Sequence, residues 1–425
     1  MGQYSRPPQT ARQGVRVTTV APMESSPLRI LACTHCDASE GCTFARIVTP
    51  LHALQSTGKV TYKHVRNVPW SVAAFWQILR DLSQWDVVWV ARPRHYLVLP
   101  LIREARRVGK PVLIDIDDWL LEQPDAYNAR QWAGTRTSQE TMRTALCAAD
   151  AITTPTSAIA AHCADLGVQA HVVPNAVNCQ QFARRPRHAA EPTTIAFCGT
   201  MAHRDDTSLI APGLLQALQK APGRVRVIAM GCPIPELEGL AGYRHVAAVA
   251  ATDYPRVLSD LGVDIGLAPL HDTPFNRAKS DIKYLEYSAT GAATIASPLA
   301  PYEASVHEDR GMLVRDNTPD AWSAAIGRLV DDPPLQQRLA RNAYEWVRGE
   351  RSIEATAHTW YGVFRAYAAR LQHGAAYRAE RVQSGHLMRV LDHVVLRQVP
   401  YYGREVARMA VQHARAAAPT PWQRA

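Results

Sequence analysis

Phe275–Ser297, FNRAKSDIKYLEYSATGAATIAS, is the stretch whose reading decides the fold. It follows an apolar run, VDIGLAPL (263–270), whose length and β-branched content suit a buried strand. After a polar loop, IKYLEYSA carries apolar residues at helical spacing, Gly291 stops the helix, and ATIAS begins another short strand. Together they make one βαβ unit whose loop lies at the carboxyl end of a strand, where open α/β sheets bind ligands.

Lys279, Asp281, Lys283 and Glu286 crowd that loop and the first helical turns. Lys283 and Glu286 are three apart and share a helix face. A cation and a carboxylate beside the free N–H groups of a helix N-terminus could hold a diphosphate and a ribose diol at once. The same spacing also suits an exposed ion pair on a surface helix.

Outward from this unit the pattern repeats. LRILAC (28–33), VTYKHV (60–65), DVVWVA (86–91), PVLIDI (111–116), AITT (151–154) and HVVP (171–174) read as strands separated by helical stretches such as VLPLIREARRVG. TTIAFCG (193–199), RVRVIAMG (224–231), YRHVAAV and GMLV (311–314) continue the alternation on the other side of a charged, Pro-containing linker, FARRPRHAAEP. Alternation of this kind predicts helix-covered parallel sheets. The fold class is therefore α/β: two Rossmann-like doubly wound domains over 28–185 and 186–350, with a leader over 1–27, a helix crossing back over 351–370 and a basic helical extension over 371–425.

Composition narrows the function. The chain has 425 residues, too many for one ordinary core. Its net charge is +9, which suits an anionic substrate, an anionic membrane surface or nucleic acid. Between residues 371 and 425 stand eight Arg, no Lys and three acids, so +5 of the excess lies in the extension. HLMRVLDHVVLRQV and REVARMAVQHARAA there place apolar residues at helical spacing with Arg on another face, suited to an anionic bilayer over 376–425 or to packing on the body of the protein or a partner. No helix-turn-helix, RNP or zinc-finger pattern is present, so no nucleic-acid partner is expected.

No apolar run reaches about 18 residues, and no secretory h-region is visible, so the expectation is a cytoplasmic protein, peripheral at most at the inner face of a membrane. The eight cysteines are scattered and expected to be reduced. Cys33-Thr-His-Cys36 is a CxxC without a second ligand pair, so no metal is expected. There is no GxGxxG, which disfavours a nicotinamide or flavin dinucleotide.

Two further groups of residues carry chemistry. Gly41, Cys42 and Thr43 precede the helical FARIVTPLHALQ, where free N–H groups can meet a phosphate or an acceptor hydroxyl. Asp117 and Asp118 follow the PVLIDI strand, at a carboxyl end where a carboxylate can orient an acceptor hydroxyl or take its proton. They can equally cap the next helix or pair with Arg92 or Arg94.

The KYLEY helix, its small-residue turn and the strand after it resemble the donor-binding segment of family 4 glycosyltransferases of the two-Rossmann-domain (GT-B) type. The likeness extends to PNAV (174–177) at the end of the first domain and covers roughly residues 28 to 370. It implies sugar transfer from a nucleotide diphosphate donor to a glycan or lipid-linked acceptor hydroxyl, with retention of configuration, no cofactor and no metal. It also implies that Glu286 holds the donor ribose, and that Gly199 and Thr200 form the glycine loop whose basic residue, Arg204 or secondarily His203, meets the phosphates with Lys283. The loop around Val249–Tyr254 falls where the family binds the base. The chain departs from the family at Ala278, where many members carry an earlier Glu. Two alternatives follow: a binding subunit without turnover, and a nucleotide-sugar epimerase or phosphorylase using a similar cleft.

Overall fold

The computed structural model describes residues 26–34, 40–66, 72–95, 97–121, 136–184 and 191–372. Residues 1–25 of the expected leader, Cys36 of the CxxC and the extension beyond residue 372 lie outside the described residues.

Two six-stranded parallel sheets organise the chain. The first contains β1 (Leu28–Thr34), β2 (Val60–Val65), β3 (Val87–Ala91), β4 (Val112–Asp115), β5 (Ala151–Thr154) and β6 (Ala170–Val172) in the order β2-β1-β3-β4-β5-β6. The second contains β7 (Thr193–Gly199), β8 (Val225–Gly231), β9 (Tyr243–Val246), β10 (Ile265–Ala268), β11 (Ala293–Ala296) and β12 (Met312–Leu313) in the order β12-β11-β10-β7-β8-β9. Every pairing within them is parallel. Helices cover both faces, so the inner strands are apolar throughout: all of VVWVA in β3 and IGLA in β10 is buried. This is the expected pair of Rossmann-like domains. Strand order reverses between β1 and β3 and again between β7 and β10, opening a crevice at each carboxyl edge.

The helices used below are α1 (Ser157–Asp165), α2 (Thr207–Lys220), α3 (Tyr254–Asp260), α4 (Ile282–Thr290), α5 (Pro319–Asp331), α6 (Pro333–Glu350) and α7 (Ile353–Gln372). Side-chain caps start four of them: Thr156 accepts from Ile159 N–H, Thr318 from Ala321 N–H, Asp332 from Leu335 N–H and Ser352 from Ala355 N–H. Gly291 ends α4 at φ 82°, the left-handed conformation a glycine adopts without steric cost.

The helix expected after Gly41 is not uniform. It opens at Gly41–Thr43, widens to a π-helical stretch at Phe44–Val48 and regains α geometry over Thr49–Ser56. Arg46, in the wide stretch, is 2% exposed and forks onto Asp115 at 2.8 and 3.2 Å. The same guanidinium reaches Asn175 Oδ1 at 3.1 Å and lies 4.6 Å from the ring centre of Trp360. Trp360 belongs to α7, which leaves the second domain and packs Trp360 and Phe364 against Trp89 of β3, at 5.0 and 4.9 Å between rings. Burial pushes the Asp115 carboxyl above its usual range, and Arg46 and Thr153 pull it back.

Removing one member of a buried ion pair costs about 3–5 kcal/mol, because the other charge stays behind unpaired. Arg46→Ala should lower the stability of the first domain by about that amount in denaturant unfolding followed by tryptophan fluorescence. Arg107→Ala, which breaks a solvent-exposed pair to Glu104, should leave it nearly unchanged.

Candidate active site

The crevice between β7 and β10 holds a connected set of ionisable groups. β7 ends at Gly199, whose carbonyl accepts from Cys232 N–H at 2.7 Å. Gly231, at φ 87°, allows this approach: a Cβ there would lie 2.3 Å from that oxygen. From Thr200 the chain makes a short 3-10 turn, Met201–His203, that points His203 inward, where it is 8% exposed, and leaves Arg204 exposed.

His203 Nδ1 lies 2.9 Å from Asp206 Oδ2, and its Nε2 lies 3.1 Å from the Lys283 ammonium in the first turn of α4. An ammonium only donates, so Nε2 accepts and the ring proton sits on Nδ1, facing the carboxylate. Asp206 is itself fixed through Oδ1, which accepts His271 N–H at 2.8 Å and the Asn276 amide at 3.3 Å. Burial, with Lys283 and Lys279 nearby, drives the His203 pKa down to about 3 against the pull of Asp206, so the imidazole is neutral. Burial and Lys279 lower the Lys283 pKa, while Glu286 and Asp206 oppose the shift.

Glu286 lies one turn along α4 from Lys283 and retains partial exposure. Burial raises its pKa to about 7, offset in part by Lys283 and by the hydroxyl of Tyr254, which begins α3. Tyr254 in turn is pushed well above the phenol range by burial and by Glu286. The acid, the ammonium and the Val249–Tyr254 loop are thus brought together.

The first domain faces this set. Burial would raise the Asp118 pKa, but Lys279, Arg92, His203 and Lys283 together take it below the usual carboxylate range. Lys279 Nζ stands 3.9 Å from Asp118 Oδ1 and 4.5 Å from the ring centre of Phe275. Arg92, non-glycine at φ 46°, forks onto Asp117 at 2.5 and 2.8 Å and reaches Asp118 at 3.0 Å. Both Asp117 oxygens are therefore held by Arg92, and the pairing with Arg92 that the sequence left open is formed. A small cavity at the β1/β3 reversal is lined by Thr34, Cys42, Thr43, Arg46, Arg92 and Asp117, with Gly41 exposed beside it.

Asp281 is engaged elsewhere. Its carboxylate takes both arms of Arg351, at 2.8 and 2.9 Å, and the Ser305 hydroxyl, while Arg351 also donates to Asn175 O. It ties the start of α4 to the junction of α6 and α7 and to the first domain. Gly199 and Thr200 form the start of the glycine loop, with Thr200 exposed. Sequence reasoning named His203 second to Arg204 and left Asp206 out of the site. The available signal was the i,i+3 spacing of His203 and Asp206, which lets an imidazole and a carboxylate meet.

The comparisons agree with this architecture. Residues 9–181 match the family described as Glycosyltransferase Family 4, and residues 192–332 match Glycosyl transferases group 1. D-inositol 3-phosphate glycosyltransferases are similar: that of Corynebacterium glutamicum is 25% identical over 162 residues, covering 36% of this chain and 39% of that enzyme. That of Corynebacterium urealyticum is 24% identical over 75% of both chains. Anabaena HepE in complex with UDP and glucose superposes with a TM-score of 0.59 at 11% identity, covering 80% of this chain and all of that one. Sucrose-phosphate synthase from Thermosynechococcus elongatus gives 0.59 at 16% identity, covering 81% of this chain and all of that one. The fold is that of the two-Rossmann-domain (GT-B) transferases. The chain belongs to the glycosyltransferases that join a family 4 first domain to a group 1 second domain.

A carboxyl whose folded pKa is raised stabilises the fold below its unfolded value, near 4.5, and that contribution is lost as pH rises through the folded value, near 7. The melting temperature of the wild type should therefore fall relative to Glu286→Gln between pH 4.5 and 7 and run parallel to it above 7.

Proposed function

We propose that the protein moves a sugar from a nucleotide diphosphate sugar to an acceptor hydroxyl in the cleft between its two domains. The observation that carries this reading is the placing, on one face of α4, of the Lys283 ammonium near the Glu286 carboxyl, at the strand reversal of the second sheet. Lys283 and Lys279 meet the diphosphate, and their charge counts for more as the leaving group gains its own. Arg204 adds a guanidinium at the exposed rim. Glu286 accepts the two ribose hydroxyls, and the Val249–Tyr254 loop receives the base.

Across the cleft, Asp118, steadied by Arg92, orients the acceptor. The cavity behind Gly41, Cys42 and Thr43 accommodates part of it, with Arg46 and Arg92 in its wall. With cations serving the diphosphate, transfer needs no metal, and the family likeness implies retention of configuration. The acceptor class is a glycan or a lipid-linked hydroxyl.

Ala278 motivates a second reading, a subunit that binds a nucleotide sugar without turnover. It is buried among residues of the first domain's core, and its carbonyl accepts the Thr156 hydroxyl at 3.1 Å, so no acidic side chain stands there. Release of free nucleotide from bound donor in the presence of acceptor separates the two readings.

Ligand that binds only the folded state raises its melting temperature. In a thermal-shift panel of nucleotide sugars and free nucleotides, one base should stand out. Lys283→Ala and Glu286→Ala should each weaken its binding by about tenfold to a hundredfold, the worth of a charge-assisted hydrogen bond. Deleting residues 376–425 should leave the response intact. Equal responses in wild type and both point variants would place the nucleotide elsewhere.

A further inference from the structure

His203 and Asp206 are buried ionisable residues that the proposed reaction does not itself use. His203 resembles a general base, but its only basic nitrogen already accepts from Lys283. Asp206 is 4% exposed, with one oxygen on His203 and the other on a backbone N–H and an amide from the loop after β10. That loop and the turn after β7 are thereby bound to a single carboxylate, and the first turn of α4 is joined to it through His203.

We propose that Asp206 and His203 are positioning residues for Lys283: the carboxylate fixes the imidazole as its Nδ1–H tautomer, and the Nε2 lone pair holds the ammonium towards the nucleotide's diphosphate. The inference rests on the nucleotide-site reading above and adds the device that aims its central cation.

Lysine is a flexible side chain, and ordering it costs entropy at the moment of binding unless the protein has already met that cost. An acceptor at 3.1 Å does so without neutralising the charge, which a carboxylate in the same place would do. A neutral imidazole leaves the positive charge available to phosphate, and the ammonium retains further N–H groups to offer. The opposite tautomer would set an N–H against an ammonium and repel it. Asp206 excludes that tautomer because an ionised carboxylate only accepts. The depressed pKa of His203 agrees, since a second proton on the ring would face Lys283.

Asp206→Asn gives the sharpest test. The carboxamide oxygen can keep the bond from His271 N–H, while its NH2 turns to His203 Nδ1, forcing that nitrogen to accept and placing the ring proton against Lys283. Shape is preserved and the tautomer is inverted, as when the triad aspartate of a serine protease is replaced by asparagine. Calorimetric titration would use UDP, GDP and ADP with the matching monophosphates, against wild type, Asp206→Asn, His203→Ala, His203→Gln, Lys283→Ala and Asp206→Asn with Lys283→Ala.

Asp206→Asn and His203→Ala should each weaken the diphosphate that binds wild type by about tenfold, the scale of one charge-assisted contact, and change its monophosphate by less than about twofold. His203→Gln, whose amide oxygen can accept from Lys283, should recover much of the loss. Asp206→Asn should add nothing once Lys283 is gone. Mono- and diphosphate affinities falling together, or additive losses in the double variant, would overturn the inference and make the pair a purely structural brace. Failure of wild type to bind any of the three diphosphates would instead overturn the nucleotide-site reading, and this inference with it.

Discussion

An ammonium group enclosed in a protein must keep its charge satisfied without having it cancelled, and the second domain is arranged around that requirement at Lys283. Desolvation and the neighbouring Lys279 disfavour the charged form, while Glu286 and Asp206 favour it. Direct contact comes from a neutral partner, the His203 imidazole, rather than from a carboxylate. The carboxylate stands one bond further away, behind the histidine. Positive charge thus remains available at the carboxyl edge of the sheet, where β7 and β10 part and the N-terminus of α4 adds its own partial charge.

The two domains meet through polar groups that continue from this region. Lys279 approaches Asp118, Thr156 donates to the Ala278 carbonyl, the Asn175 amide donates to Ser280, and Arg351 joins Asn175 to Asp281. All four contacts fall within or directly beside the segment 278–281, just before α4. The segment that presents Lys283 and Glu286 is therefore also the seam of the molecule. α7 then carries Trp360 and Phe364 onto Trp89, so the chain's last described helix closes over the sheet with which it began.

The strands themselves and the helix with its glycine stop were legible in the sequence because each depends on local pattern: apolar runs, 3.6-residue spacing and turn chemistry. Lys283 and Glu286 were legible as a pair because their spacing alone puts them on one face. The direction of side chains in a loop was not. A 3-10 turn of three residues sends His203 inward and Arg204 outward, and no periodicity announces that choice.

Carboxylates at strand and helix ends posed the same difficulty. Asp115, Asp117 and Asp281 look alike as sequence, yet their partners are Arg46, Arg92 and Arg351, 69, 25 and 70 residues away. Those separations are set by topology, and Arg92 reaches its partners from a backbone conformation, φ 46°, that its residue type rarely adopts.

The most direct test is a crystal structure with the nucleoside diphosphate that the protein binds. The account predicts phosphate oxygens within hydrogen-bonding distance of Lys283 Nζ, the ribose diol on Glu286, and His203 still seated between Lys283 and Asp206. A nucleotide found in the β1/β3 cavity beside Arg46 and Arg92, with Lys283 and Glu286 untouched, would contradict it.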